Sequence, residues 1–392
     1  MAEEISQAPD LQDLESIGNV IPLTYTTRSG EILTTLKRLR PQPSFILSQA
    51  PDHPMAGIVV VGYSVSGRRN VRNIYDNPAC MVRYIVEDEP ERVALAEQDI
   101  KELGIENLQI VPYSKLPVAL MAKEINFVIV SAPNEKRKEI VTNALTANKH
   151  VMCDKPLASS IEDAAELFAL SRKMKKTLIT ILPGRPGKAF SPVIMALIAS
   201  ASNISLQRKP DADAPEPPST PIDPNSTEVE EMLLNMAYHD AFSINFCMCM
   251  RPTQAKTTIV TSKPGTVQVE LLYANECQAT ITCTLGQIDQ ENQNFTLTGD
   301  RLTEMRRVDH MNSFKEQQMS DESKGIQFTQ VYDGATRDAL EQMYAASAGR
   351  VELASRVRPG LMEQNVIDCL HIATAAISSI RNGGVTVPVK YW

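Results

Sequence analysis

Between residues 57 and 182 the apolar positions fall into short runs, four of them followed by a stretch with helical spacing. The runs are 57–61, 81–86, 108–111, 127–130, 150–152 and 177–182. Each is too short for a helix and shows little polar alternation, the pattern of a strand covered on both faces. Helical spacing occupies about 68–75, 91–103, 134–147 and 159–175 between them. The last stretch opens with Ser159-x-x-Glu162, which reads as a capping box. Strands alternating with helices predict a doubly wound parallel sheet, an α/β Rossmann domain over residues 55–184.

After Pro183 the pattern changes. Residues 208–225 hold six prolines and read as a long loop lining something. A helix is predicted over 228–250. Segments rich in strand-forming residues follow at 257–262, 266–273, 277–285 and 294–299, then a helix at about 362–382 and a closing strand at 385–389. Residues 185–392 therefore read as an α+β domain with a largely antiparallel sheet. The first 54 residues form an N-terminal arm, in which 20–36 alternates enough for a hairpin around Ser29-Gly30.

Composition narrows the picture. A chain of 392 residues suits two domains, and 43% hydrophobic with 22% charged residues is an ordinary globular mix. A net charge of −8 gives a nucleic-acid partner no electrostatic support. No apolar run nears the roughly 20 residues needed to span a bilayer, so no membrane association is expected. The acidic start, Met1-Ala2-Glu3-Glu4-Ile5, has neither a secretory core nor a transit pattern, and a cytoplasmic location is expected. The seven cysteines include no C-x-x-C pair and read as buried reduced thiols; Cys247-x-Cys249 would splay on a helix, and no metal site is expected.

Two segments carry chemistry. Gly62-x-Ser64-x-x-Gly67 follows the first strand and precedes a helix, the context of a dinucleotide fingerprint. Gly62 allows the tight turn and Gly67 close packing of helix on strand. Ser64 stands where a glycine would let the backbone approach pyrophosphate; its hydroxyl can donate to phosphate instead. Val65 belongs to the same turn. Glu87, twenty-five residues past Gly62 at the end of the second strand, is placed to accept hydrogen bonds from ribose hydroxyls. It would repel a 2′-phosphate, which favours NAD over NADP, although Arg68 and Arg69 could tolerate one.

The fifth strand delivers Cys153-Asp154-Lys155-Pro156. A lysine fixed at the carboxyl end of a parallel strand stands where open α/β sheets bind ligands. Asn235 and His239 lie four apart in the predicted helix, hence on one face. An imidazole near a lysine can remove a hydroxyl proton while hydride leaves the carbon.

These segments together resemble the Gfo/Idh/MocA oxidoreductase family, and within it the inositol 2-dehydrogenases, over about residues 55–390. Cys153-Asp154-Lys155-Pro156 is similar to the family's E-K-P segment, and Ser131-Ala132-Pro133-Asn134 to its T-P-N turn. Residues 215–240 resemble the proline-rich loop leading to a D-x-x-x-H-D motif, and 289–300, 328–341 and 385–389 its later segments. The resemblance implies a Rossmann domain followed by an open-faced sheet domain that builds homo-oligomers, dimers or tetramers. It implies hydride transfer between NAD and a polyol, cyclitol or sugar hydroxyl carbon. Lys155 would orient the hydroxyl and His239, aided by Asn235, would act as acid/base. Ala132, Pro133, Asn134, Asp154 and Lys155 would line the cofactor. Asp154 replaces the family's glutamate, Ser64 a glycine, Asn235 an aspartate, and Arg137 a common histidine. Two other readings stay open: a catalytically weak NAD-binding sensor or scaffold, and another reductase of the same fold.

Overall fold

The computed structural model describes residues 20–26, 32–38, 56–75, 80–105, 107–180, 198–208, 221–285, 292–299, 326–331 and 359–391. An antiparallel hairpin pairs β1 (Val20–Thr26) with β2 (Ile32–Arg38); the turn between them lies outside the described residues. The central unit comprises β3 (Ala56–Val61), α1 (Val65–Tyr75), β4 (Cys80–Val86), α2 (Pro90–Leu103) and β5 (Gln109–Val111). It continues with α3 (Leu116–Met121), β6 (Ile125–Val130), α4 (Asn134–Thr146), β7 (His150–Cys153), α5 (Ile161–Met174) and β8 (Leu178–Thr180).

The six strands pair in parallel in the order β5-β4-β3-β6-β7-β8. Chain direction across the sheet reverses between β3 and β6, so their carboxyl ends open the crevice where such sheets take ligands. Alternation survives inside the apolar runs. Ile58, Val60, Phe127 and Ile129 face one core, while Val59, Val61, Val128 and Val130 face the other. The second core is continuous with the C-terminal region, which ties the two sheets into one packed body.

Local chemistry sets the element ends. Pro90 opens α2, and Gly104 closes it at φ 62°, a left-handed cap that suits glycine. The capping box is displaced by one residue. Ser160, not Ser159, caps α5, its hydroxyl accepting from the Asp163 N–H at 3.1 Å. Ser159 instead accepts from Asn134 Nδ2 at 2.9 Å. Helix α3 was not predicted; Pro117 interrupts its pattern at a position that helix starts tolerate.

The second sheet is mixed. It contains β9 (Asn203–Arg208), β10 (Pro252–Ile259), β11 (Thr266–Tyr273), β12 (Gln278–Thr284), β13 (Asn292–Thr298), β14 (Ile326–Val331) and β15 (Val387–Pro388). The order is β14-β13-β9-β12-β11-β10-β15, with β9–β12 the parallel pair among antiparallel neighbours. Strand β9 escaped the pattern reading because, among its described side chains, only Ile204 and Leu206 are buried. Strand β10 starts five residues before the predicted 257. The predicted helix at 228–250 is built from α6 (Thr227–Met236), a π-helical turn (Ala237–Ala241) and α7 (Phe242–Met248). Helix α8 (Pro359–Arg381) packs against β10, α5, α6 and the π turn. Of the proline-rich stretch, 209–220 lies outside the described residues, as do 289–291 and 300 of the 289–300 segment and 332–341 of the 328–341 segment. Five cysteines are buried as anticipated, but Cys283 is half-buried and Cys249 exposed.

Candidate active site

The turn after β3 is shaped by what surrounds it. Gly62 has φ 91°, and a Cβ there would stand 2.6 Å from Ser131 O. A Cβ on Gly67 would stand 2.1 Å from Gly62 O. Both positions therefore require glycine, and they bring the β3 and β6 carboxyl ends together. Ser64 donates to Ser131 O at 3.3 Å and accepts from Gly67 N–H at 3.5 Å. Its hydroxyl thus faces the turn itself rather than the space above it. Val65 is 73% exposed at the first position of α1, an apolar side chain left on the rim of the crevice.

Two acidic residues stabilise this turn from beneath. Glu87 is 4% exposed. Its Oε2 accepts from Tyr63 N–H at 2.7 Å, and its Oε1 from Asp88 N–H and Glu89 N–H at 2.9 and 3.1 Å. Asp99, on α2, is a second support that the sequence pattern did not disclose. It accepts from Tyr63 OH at 2.8 Å, from Arg68 Nε and Nη2 at 2.6 and 2.8 Å, and from Arg72 Nη2 at 2.7 Å. The Arg68 guanidinium beside it holds its carboxyl well below the usual carboxylate range. Arg68 is therefore engaged with Asp99.

The turn after β6 and the loop after β7 are neighbours. Asn134 begins α4, and its Oδ1 is a buried acceptor without a partner among the described residues. Ala132 is buried and Pro133 exposed. Arg137, one turn into α4, donates from Nε to Ala132 O at 2.8 Å and from Nη1 to Pro156 O at 2.6 Å. The same Nη1 lies 3.5 Å from Asp154 O. Asp154 is buried, and its N–H donates to Val130 O at 2.9 Å. The Lys155-Pro156 bond is cis. Cys153 is fully buried, and burial pushes its thiol up to about 12, so it is no nucleophile.

Lys155 crosses from one domain to the other. Its Nζ donates to Asn235 Oδ1 at 2.9 Å. Asn235 is 6% exposed and lies in the last turn of α6. His239 follows within the π turn and is half-buried, so the chain between Asn235 and His239 is wound more widely than an α-helix. Ser243 donates to His239 O at 2.7 Å. Tyr238, between them in sequence, is fully buried. Burial holds its hydroxyl well above the ordinary range.

The glycine-bounded turn, the N-terminus of α1 beside it, and the orphaned Asn134 acceptor fit a dinucleotide. Residues 56–181 match the family described as an oxidoreductase family with an NAD-binding Rossmann fold. This match to the Gfo/Idh/MocA oxidoreductases spans the six-stranded domain. Among curated relatives, 2,7-anhydro-N-acetylneuraminate hydratase of Escherichia coli is 31% identical over 137 residues, 35% of this chain and 33% of that one. Inositol 2-dehydrogenase of Salmonella typhimurium is 36% identical over 59 residues, 15% of this chain and 18% of that one. The matches thus span about a third or less of those relatives' length. The fold likeness reaches further. Scyllo-inositol dehydrogenase of Lactobacillus casei, solved with NAD(H) and scyllo-inositol, superposes with TM-score 0.56 at 13% identity. It covers 86% of this chain and 99% of that one. The likeness of fold therefore extends over both sheets.

Proposed function

We propose that the protein is an NAD-dependent oxidoreductase that moves hydride between nicotinamide and a hydroxyl-bearing carbon of a polyol, cyclitol or sugar. The observation that carries this reading is the 2.9 Å contact from Lys155 Nζ to Asn235 Oδ1. It brings a cation from the carboxyl end of β7 to the helix that also bears His239, at the mouth of the crevice. Gly62, Ser64, Val65, Gly67, Ala132, Pro133, Asn134 and Asp154 would hold the dinucleotide, which supplies the hydride acceptor or donor. With Glu87 turned under the turn, its part in selecting NAD is to fix Tyr63 and to place negative charge near the ribose. Lys155 Nζ would hydrogen-bond the substrate oxygen and favour its negative form. His239 would take up or return the hydroxyl proton, a contribution worth about 10²–10⁴-fold when fully supported. Homo-oligomers built on the second sheet and a cytoplasmic setting complete the reading.

A second reading has its own observation. Asn235 is neutral, so it hydrogen-bonds the lysine without balancing the charge of an imidazolium. A protein that binds NAD but turns over weakly, acting as sensor or scaffold, fits that substitution. Purified protein, NAD and a panel of inositols and sugars separate the two. Substrate-dependent absorbance of reduced cofactor is expected; NAD binding with no turnover on any of them would favour the second. Asn235→Asp sharpens the assay, with a several-fold rise in rate expected if His239 works with a weakened partner.

A further inference from the structure

We propose that Arg137 is the positioning residue for Lys155, an inference that rests on the role given to Lys155 above. The two carbonyls that share its Nη1, Asp154 O and Pro156 O, belong to the residues on either side of Lys155. The Nε of the same guanidinium holds Ala132 O in the turn after β6. One planar fork therefore fastens the backbone flanking the lysine to the adjacent strand end, where the nicotinamide side of the crevice begins.

The helix supplies the reach. Side chains on a helix lean toward its N-terminus, and Arg137 sits three residues into α4, so it lies back over the 131–133 turn. The fork chemistry matters as much as the charge. Guanidinium presents several N–H donors at fixed angles, enough for carbonyls on two separate loops. An ammonium has one nitrogen and can serve one loop well. A neutral imidazole has a single N–H and cannot serve both. With its flanks fixed, Lys155 can extend to Asn235 with few conformations to lose, and a shift of about 1 Å at such a residue can cost on the order of 10²-fold in rate.

The test uses the full chain and two readouts. The first is acylation of Lys155 by limiting acetic anhydride, followed by mass spectrometry of the peptide that contains it. The second is kcat and KM on the substrate found in the panel. In Arg137→Lys the Lys155 acylation rate is expected to change severalfold relative to the other lysines, and kcat to fall about tenfold or more while KM for NAD stays within about twofold. In Arg137→Ala, millimolar guanidinium, unlike ammonium, is expected to restore part of kcat. If Arg137→Lys does not fold, Arg137→Gln replaces it in both measurements. Unchanged acylation and unchanged kcat in a folded variant overturn the proposal. A fall in NAD affinity or in unfolding midpoint that accounts for all lost activity, without change at Lys155, also overturns it. If the wild-type protein binds NAD but turns over nothing, the dehydrogenase reading fails, and the acylation rate alone decides the inference.

Discussion

The Gly62–Gly67 turn and the loop around Lys155 leave the same edge of one sheet, and they are secured by opposite means. The first is tied down inside its own domain by two acidic side chains, Glu87 and Asp99, which accept seven hydrogen bonds from groups beneath and beside it. The second is held by a cation acting on carbonyls, Arg137, and it reaches its partner Asn235 in the other domain. The side-chain hydrogen bonds that hold the first turn all lie within one domain. The lysine site is complete only while both domains are packed. Binding and chemistry should therefore be separable by mutation, and that separation is what the following experiments break or sharpen.

Lys155→Met should have the largest effect. It keeps the unbranched stem as far as Cε and removes the ammonium from a site facing Asn235. Turnover is expected to fall by at least about 10²-fold, since a hydrogen bond and a charge at the reacting oxygen are both lost. NAD affinity, measured by quenching or calorimetry, should hardly move. A large loss of affinity instead would mean that the lysine belongs to the platform. Gly67→Ala should do the reverse. Its Cβ would be forced against Gly62 O, so the turn must open. Overpacking of this kind costs about 1–3 kcal/mol, and NAD binding should be lost while the C-terminal sheet stays folded.

Asp99→Asn probes the platform more gently. The amide keeps the shape but weakens charge-assisted hydrogen bonds from Arg68 and Arg72, bonds worth about 1.5–3 kcal/mol each when well buried. The arginines are about a third to a half exposed, at 34% and 46%, so solvent recovers much of that loss. A drop of about 1 kcal/mol in unfolding free energy and a weaker hold on NAD are expected. The sign of its pH dependence is also set. A carboxyl held low in the folded state contributes stability above its unfolded pKa, near 3.9, and loses it as pH falls below that.

The same contrast explains what could be read from residue order. The six strands were legible because most are apolar runs buried along much of their length, and the Gly62–Gly67 spacing needs only local context. Lys155 was legible because strand β7 fixes its position. Asp99 was not: it sits mid-helix among Glu97, Lys101 and Glu102, and nothing in a helical pattern distinguishes a carboxylate that turns inward from one in solvent. The π turn between Asn235 and His239 was hidden for a similar reason, since a single wide turn leaves the apolar spacing of residues 228–250 nearly unchanged. Arg137 could be seen as a departure from the family pattern, but its three carbonyls lie on two loops that only the fold brings together. Ser159 and Ser160 are adjacent serines with acids three residues on, so the capping rule could not choose between them.

The smallest effect expected lies at the opposite end of the sheet and serves as a control for the comparison. His150 starts β7, and its Nδ1 accepts from Thr177 N–H at 3.1 Å, which requires the neutral ring. Burial first, and then the charge of Lys176, depress its pKa to about 4. The unfolded chain titrates this histidine near 6.5, so between about pH 6.5 and 4 it binds a proton that the folded chain refuses. Stability from this group is therefore complete above about 6.5 and declines as pH falls toward 4. His150→Asn keeps an acceptor for Thr177 without a titrating group. Urea midpoints at pH 7 and pH 5 should fall further for the wild type than for His150→Asn, with NAD affinity at pH 7 equal in both. An equal fall would mean that the ring accepts its proton in the folded state, and that β7 is not what carries acid sensitivity into the lysine site.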